Sequence, residues 1–126
     1  MDTTIRLLLV DDEEIVGKRL KVALEKHGYA VEVARSGRSA IERLQSQEFD
    51  VVITDLRLDD PDGLDGLDVL DAVQEHSPRT KTILITGYAT AEVARGAVAK
   101  GAFDFIAKPF KPKDLRELIE NAVRAP

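Results

Sequence analysis

Three carboxylates, one hydroxyl and one ammonium stand at the ends of short apolar runs in this chain. Asp11 and Asp12 follow Leu7-Leu8-Leu9-Val10, Asp55 follows Val51-Val52-Ile53-Thr54, Thr86 follows Ile83-Leu84-Ile85, and Lys108-Pro109 follows Phe103-Asp104-Phe105-Ile106-Ala107. If the runs lie side by side, these groups share one site. Two carboxylates about 4 Å apart repel by roughly 4 kcal/mol at an effective dielectric near 20, and a third adds to the penalty. A divalent cation removes it, and an all-oxygen donor set suits Mg²⁺ better than zinc or copper. With the metal come Lys108, a point charge for a phosphoryl oxygen, and Thr86, a donor to another. The chemistry that uses all of them is phosphoryl transfer, in which positioning and charge neutralisation supply most of the catalysis. Asp55, with a reference pKa of about 3.9, is a nucleophile that needs no general base, and its product is an aspartyl phosphate.

Each group alone has a plainer reading. Asp11-Asp12-Glu13-Glu14 also suits the acidic start of a helix. Thr86 is a good strand residue and a good cap, and Lys108 suits a solvated loop. Asp55 is harder to set aside, because a carboxylate after a fully apolar strand sits where unpaired charge is costly. Convergence of the whole set favours the site.

The elements that must position these groups alternate. Val16, Leu20, Ala23 and Leu24 recur at helical spacing before Gly28; Tyr29 to Ala34 reads as a strand; Ser36 caps a helix carrying Ala40, Ile41 and Leu44. Leu67, Leu70 and Val73 make a third helix ending before Pro78, and Thr90 caps a fourth with the stripe Val93, Ala94, Ala97 and Val98, closed by Gly101. The last helix begins near Pro112 and carries Leu115, Leu118, Ile119, Ala122 and Val123. Regular βα alternation with right-handed crossovers predicts an α/β fold: a flavodoxin-like, doubly wound, five-stranded parallel sheet of order 2-1-3-4-5 with five helices. In that order the switch point lies between strands 1 and 3, which sets Asp11, Asp12 and Asp55 side by side.

Bulk properties narrow the function. The 126 residues fit a single domain, 1–126; the absence of Cys excludes thiol chemistry and suits a cytoplasmic protein. The N-terminus lacks the pattern of a signal peptide, and no apolar run approaches the roughly 18 residues of a membrane span, so no membrane partner is expected. A net charge of −5 without a Lys/Arg block argues against direct nucleic-acid contact. No Gly-rich phosphate loop is present, and His27 and His76 carry no assigned role.

The motifs resemble the receiver domain of two-component response regulators along essentially the whole chain. They are Val-Asp-Asp-Glu at 10 to 13, Thr-Asp-Leu-Arg at 54 to 57, Asp-Gly-Leu at 65 to 67, Ile-Thr-Gly at 85 to 87 and Gly-Ala-Phe-Asp-Phe-Ile-Ala-Lys-Pro-Phe at 101 to 110. The last stretch resembles receivers of the nitrogen-regulation type that precede an ATPase and a DNA-binding domain. The resemblance implies that Asp55 accepts a phosphoryl group from a sensor histidine kinase or a histidine phosphotransfer protein, as a signalling acceptor rather than a turnover enzyme. It implies that Asp12 binds Mg²⁺ directly, Asp11 largely through water, and that Asp55 and the backbone carbonyl of Arg57 complete the metal's protein ligands. Lys108 then pairs with Asp55 and afterwards with the phosphoryl group. A cis bond is implied before Pro109, a form taken by only about 5 to 6% of X-Pro bonds. Thr86 is implied to move toward the phosphoryl group while Phe105 swings into the vacated space, changing the face formed by the fourth helix, fifth strand and fifth helix. An output domain or effector outside this chain reads that face, and a homodimer through it is allowed.

Departures from the family mark this protein's individuality. Between Leu56 and Gly66 the family's short Met-Pro segment is replaced by Leu58-Asp59-Asp60-Pro61-Asp62-Gly63-Leu64, a loop roughly three residues longer and expected to be mobile without metal. The resemblance implies that Arg57, Gly87 and Tyr88 occupy positions that tune water access to the aspartyl phosphate. Bulky Arg57 and Tyr88 are expected to slow its hydrolysis, and equal decay in an Arg57→Ala, Tyr88→Ala double variant would contradict this. Two alternatives come from other classes. A haloacid-dehalogenase-like phosphohydrolase uses similar groups, but with its nucleophile after the first strand and a second Asp two residues on, where Arg57 stands here. A receiver fold serving only as a binding module would be expected to have lost one of Asp12, Asp55, Thr86 or Lys108.

Overall fold

The structure, a computed structural model, describes residues 3–87 and 90–126. Ten elements alternate as expected: β1 Arg6–Val10, α1 Glu14–Glu25, β2 Ala30–Ala34, α2 Gly37–Ser46, β3 Val51–Asp55, α3 Gly66–His76, β4 Lys81–Thr86, α4 Ala91–Ala99, β5 Asp104–Ala107 and α5 Pro112–Arg124. The strands form one parallel sheet of order β2-β1-β3-β4-β5. β2 begins at Ala30 rather than Tyr29, because Ala30 N–H is the first to pair, with the Ile5 carbonyl at 2.9 Å.

Side-chain alternation along the strands divides the core between the two faces. Leu7, Leu9, Ile53, Ile83 and Ile85 pack under α1 and α5 with Leu20, Leu24, Leu115 and Ile119. Leu8, Val10 and Val52 face Ala40, Leu44, Val69 and Val73 of α2 and α3. Leu84 meets Leu56, Leu70, Ala94 and Ala97, with Phe105 half-buried against this cluster. Burial on both faces is why the central strands read as continuous apolar runs.

Two helix assignments need correction in detail. Ser36 caps α2 as expected, accepting from Ser39 N–H at 3.0 Å, but Thr90 precedes α4 without capping it. α4 also buries Ala94 and Ala97 and leaves Val93 48% exposed, so its apolar stripe is narrower than the spacing implied.

The loop after β3 makes hydrogen bonds and an ion pair to α2. The Asp60 carboxylate accepts from Gly37 N–H at 2.8 Å and Arg38 N–H at 3.3 Å, and Arg38 Nε lies 2.7 Å from Asp62 Oδ2. The loop closes on itself through Asp62 N–H to Asp60 Oδ1 and Gly63 N–H to the Asp60 carbonyl, with Gly63 at φ +73°. Helix N-termini offer unpaired amides and a positive dipole end, so an acidic loop beside α2 finds partners there. Composition alone gave no sign of that neighbour.

Candidate functional site

Parallel pairing in register carries the strand ends to one edge. Leu9 pairs with Ile53 and Val10 with Thr54, so the residues that follow, Asp11, Asp12 and Asp55, meet there. One carboxylate oxygen from each lies within 4.8 Å of the others. Lys108 follows β5, whose Ala107 pairs with Thr86, and its Nζ reaches Asp55 Oδ1 at 3.1 Å. The Lys108-Pro109 bond is cis, in agreement with the resemblance.

The cluster is short of partners. Asp11 is 1% exposed and Asp55 5%, and neither Asp11 Oδ2 nor Asp55 Oδ1 accepts a hydrogen bond; Lys108 approaches the latter ionically, without hydrogen-bond alignment. Burial first, then the neighbouring Asp11 carboxylate, pushes the Asp55 carboxyl up to about 6 despite the opposing charge of Lys108. Burial likewise raises Asp11, against the Glu13 amide bonded to Asp11 Oδ1 at 2.8 Å. For Lys108 burial works against the charge, but Asp55 and Asp11 outweigh it and hold its pKa above the ordinary lysine value. Three carboxylates, each with an oxygen within 4.8 Å of the others, and buried Asp11 and Asp55 oxygens without a hydrogen-bond donor fit an oxygen-ligated divalent cation.

Beside Asp55 opens a cleft of about 250 Å³ lined by Leu56, Arg57, Ile85, Gly87, Thr90 and Lys108. Arg57 and Gly87 stand at its mouth, both exposed. Tyr88 lies outside the described residues. Thr86 does not line the cleft: it is 1% exposed, and its hydroxyl pairs with that of Thr90 and donates to the Gly87 carbonyl at 3.0 Å. Phe105, the register partner of Leu84, is half-buried against the α4 side of the sheet.

Sequence reasoning gave no positioning role to Thr90, Gly66, the Asp65 and Asp68 pair or Asp60. Thr90 read as a cap, yet its hydroxyl engages Thr86. Gly66 places its Cα so close to β3 that a Cβ would come within 2.4 Å of the Asp55 carbonyl oxygen. The adjoining Asp65 and Asp68 form a capping box for α3, a signal readable in the Asp-x-x-Asp spacing. Asp60 holds the loop, and the amides of Asp62, Arg38 and Gly37 keep its carboxyl below the usual range.

The chain matches the response regulator receiver domain family over residues 7–120. It is 35% identical to the regulatory protein AtoC of Escherichia coli over 94% of this chain and 25% of that one. It is 38% identical to the response regulator protein PilR of Pseudomonas aeruginosa, over 94% and 26%. The chain therefore spans about a quarter of the length of these relatives. Among solved structures, a receiver domain protein from Clostridium thermocellum superposes with a TM-score of 0.87 at 30% identity, covering 94% of both chains. The receiver domain of NtrX from Brucella abortus does so with 0.88 at 30% identity, covering 95% of this chain and 99% of that one.

Proposed function

Since the chain belongs to the family of response regulator receiver domains, we propose that it is a phosphoacceptor switch in which Asp55 takes a phosphoryl group from a phosphohistidine. The observation that carries this reading is the buried Asp55 carboxylate, set with Asp11 and Asp12 and approached by Lys108 at 3.1 Å. A carboxylate oxygen of Asp55 forms the new P–O bond, the P–N bond to the donor imidazole breaks, and the imidazole leaves with the electron pair. Asp11, Asp12, Asp55 and the Arg57 carbonyl are the residues that would hold Mg²⁺. Bound there, the ion supplies neutralisation of the gathered negative charge. Lys108 moves its ionic contact from Asp55 to the phosphoryl oxygens. Water reaching the acyl phosphate returns the carboxylate, so the domain is consumed and reset as a signal rather than turning over an external substrate.

Readout starts at Thr86. In the described state its hydroxyl is occupied by Thr90, and a phosphoryl oxygen competes for that hydroxyl; Phe105 then moves on the same side of the sheet. Phosphorylation biases two states by no more than its differential interaction with them. Val93 on α4 and Val123 on α5 are 48% and 39% exposed, and the α4-β5-α5 face is the one a partner or second copy would read. Relatives roughly four times as long, including the alginate biosynthesis transcriptional regulatory protein AlgB, support an output region elsewhere in the polypeptide. Among the described residues no helix is long and apolar enough to cross a membrane.

Acetyl phosphate or phosphoramidate with Mg²⁺ tests the reading by intact mass. One added phosphoryl group on the wild type and none on Asp55→Asn is expected. A wild type that remains unmodified would favour the non-phosphorylated binding module.

A further inference from the structure

We infer that the long β3–α3 loop is a brace for the metal ligand Asp12, which makes Asp60 and Arg38 positioning residues for Mg²⁺ although neither belongs to the carboxylate cluster. This rests on the reading of Asp11, Asp12 and Asp55 as a Mg²⁺ platform.

The three carboxylates are not held alike. Asp11 and Asp55 each keep a buried oxygen without a hydrogen-bond partner, whereas Asp12 Oδ2 accepts from the backbone N–H of Asp59 at 2.9 Å. A donor on one oxygen of a carboxylate fixes the direction in which the other is presented, and such outer contacts set metal affinity. The Asp59 amide belongs to an exposed loop residue, so it serves this purpose only if the loop is fixed. The next residue fixes it. Asp60 Oδ2 spans to the first two amides of α2, Gly37 and Arg38, while Asp60 Oδ1 takes the Asp62 amide within the loop. Arg38 adds its guanidinium to Asp62 at 2.7 Å. Leu64 closes the contact, since a Cβ on Gly37 would stand 2.8 Å from that of Leu64. The chain of contacts runs from α2 through Asp60 and Asp59 to Asp12.

The test is Mg²⁺ titration of the 126-residue protein, followed by amide NMR shifts near the site, with hydrogen exchange of the Asp59 amide as a second readout. Asp60→Ala is expected to weaken Mg²⁺ affinity about tenfold and speed Asp59 exchange. Asp60→Asn, which keeps an acceptor oxygen for α2, is expected to restore most of the affinity. Arg38→Ala is expected to weaken affinity about two- to threefold. Long-range charge alone predicts the opposite sign there, because removing a cation favours Mg²⁺. Equal affinity in wild type, Asp60→Ala and Arg38→Ala overturns the brace, as does equal weakening by Ala and Asn at position 60. Should Asp60→Ala not fold, the sign of the Arg38→Ala effect decides. A folded wild type that binds no Mg²⁺ overturns both the brace and the metal platform beneath it.

Discussion

Asp55→Asn is expected to stabilise the metal-free protein at neutral pH by on the order of 1–3 kcal/mol while removing the phosphoacceptor. Burial and Asp11 raise the folded-state Asp55 pKa from 3.8 to about 6, so the folded protein holds this proton more tightly than the unfolded chain. Folding is then favoured while Asp55 is protonated and penalised once it ionises. The penalty is absent below about pH 4, grows as pH rises from about 4 to about 6, and is complete above that. Asparagine resembles the protonated form and escapes it. Asp11, raised in the same direction, remains in both proteins and cancels from the comparison to the extent that it titrates alike. Urea unfolding in EDTA at about pH 4 and about pH 7.5 checks the sign: the two proteins should differ little at the acid end and most at the neutral end. A variant no more stable than wild type at neutral pH would contradict the electrostatic reading of the site. Saturating Mg²⁺ should stabilise the wild type more than the variant, because binding to the folded state alone adds to stability.

Gly66→Ala is expected to lose roughly 2–4 kcal/mol of stability and to slow phosphoryl acceptance with it. An added Cβ would lie 2.4 Å from the Asp55 carbonyl oxygen, 2.8 Å from Leu56 Cα and 3.1 Å from the Asp55 carbonyl carbon. All three are backbone atoms of the acceptor segment, so no side-chain rotation relieves the clash. Either α3 retreats, breaking the 2.9 Å bond from Gly66 N–H to the Leu56 carbonyl, or the end of β3 shifts and moves the Asp55 carboxylate away from Lys108. Denaturation midpoints and the rate of labelling by acetyl phosphate read the two consequences separately. A change below about 0.5 kcal/mol, with labelling intact, would show that the contact is not tight.

What the sequence revealed follows from the kind of interaction involved. The fold was legible because strands buried on both faces must be apolar throughout, and Leu7 to Val10, Val51 to Thr54 and Ile83 to Thr86 are bounded by residues that cannot continue them. Strand order then put Asp11, Asp12, Asp55 and Lys108 at one edge, where an oxygen of each carboxylate lies within 4.8 Å of the others and Lys108 reaches Asp55 at 3.1 Å. Less was legible where the partner is remote in sequence. Nothing local to Asp60 points to the amides of Gly37 and Arg38, some twenty positions earlier, so its contacts with α2 were not legible. Thr90 has the composition of a cap, and only the fold brings its hydroxyl to Thr86. Val93 shows the same gap in the other direction. Helical spacing placed it on the apolar stripe, but the small residues Ala94 and Ala97 suffice against β4 and β5 and leave it 48% exposed.

Mapping the phosphoryl group is the most direct measurement of the central claim. The protein is labelled by acetyl phosphate with Mg²⁺, reduced with borohydride to convert an aspartyl phosphate to a stable alcohol, digested, and read peptide by peptide. Modification confined to Asp55 and lost in EDTA is the predicted result. Modification at another residue, or labelling of Asp55 that is indifferent to Mg²⁺, would contradict the assignment of Asp55 as acceptor on an Asp11-Asp12 metal platform.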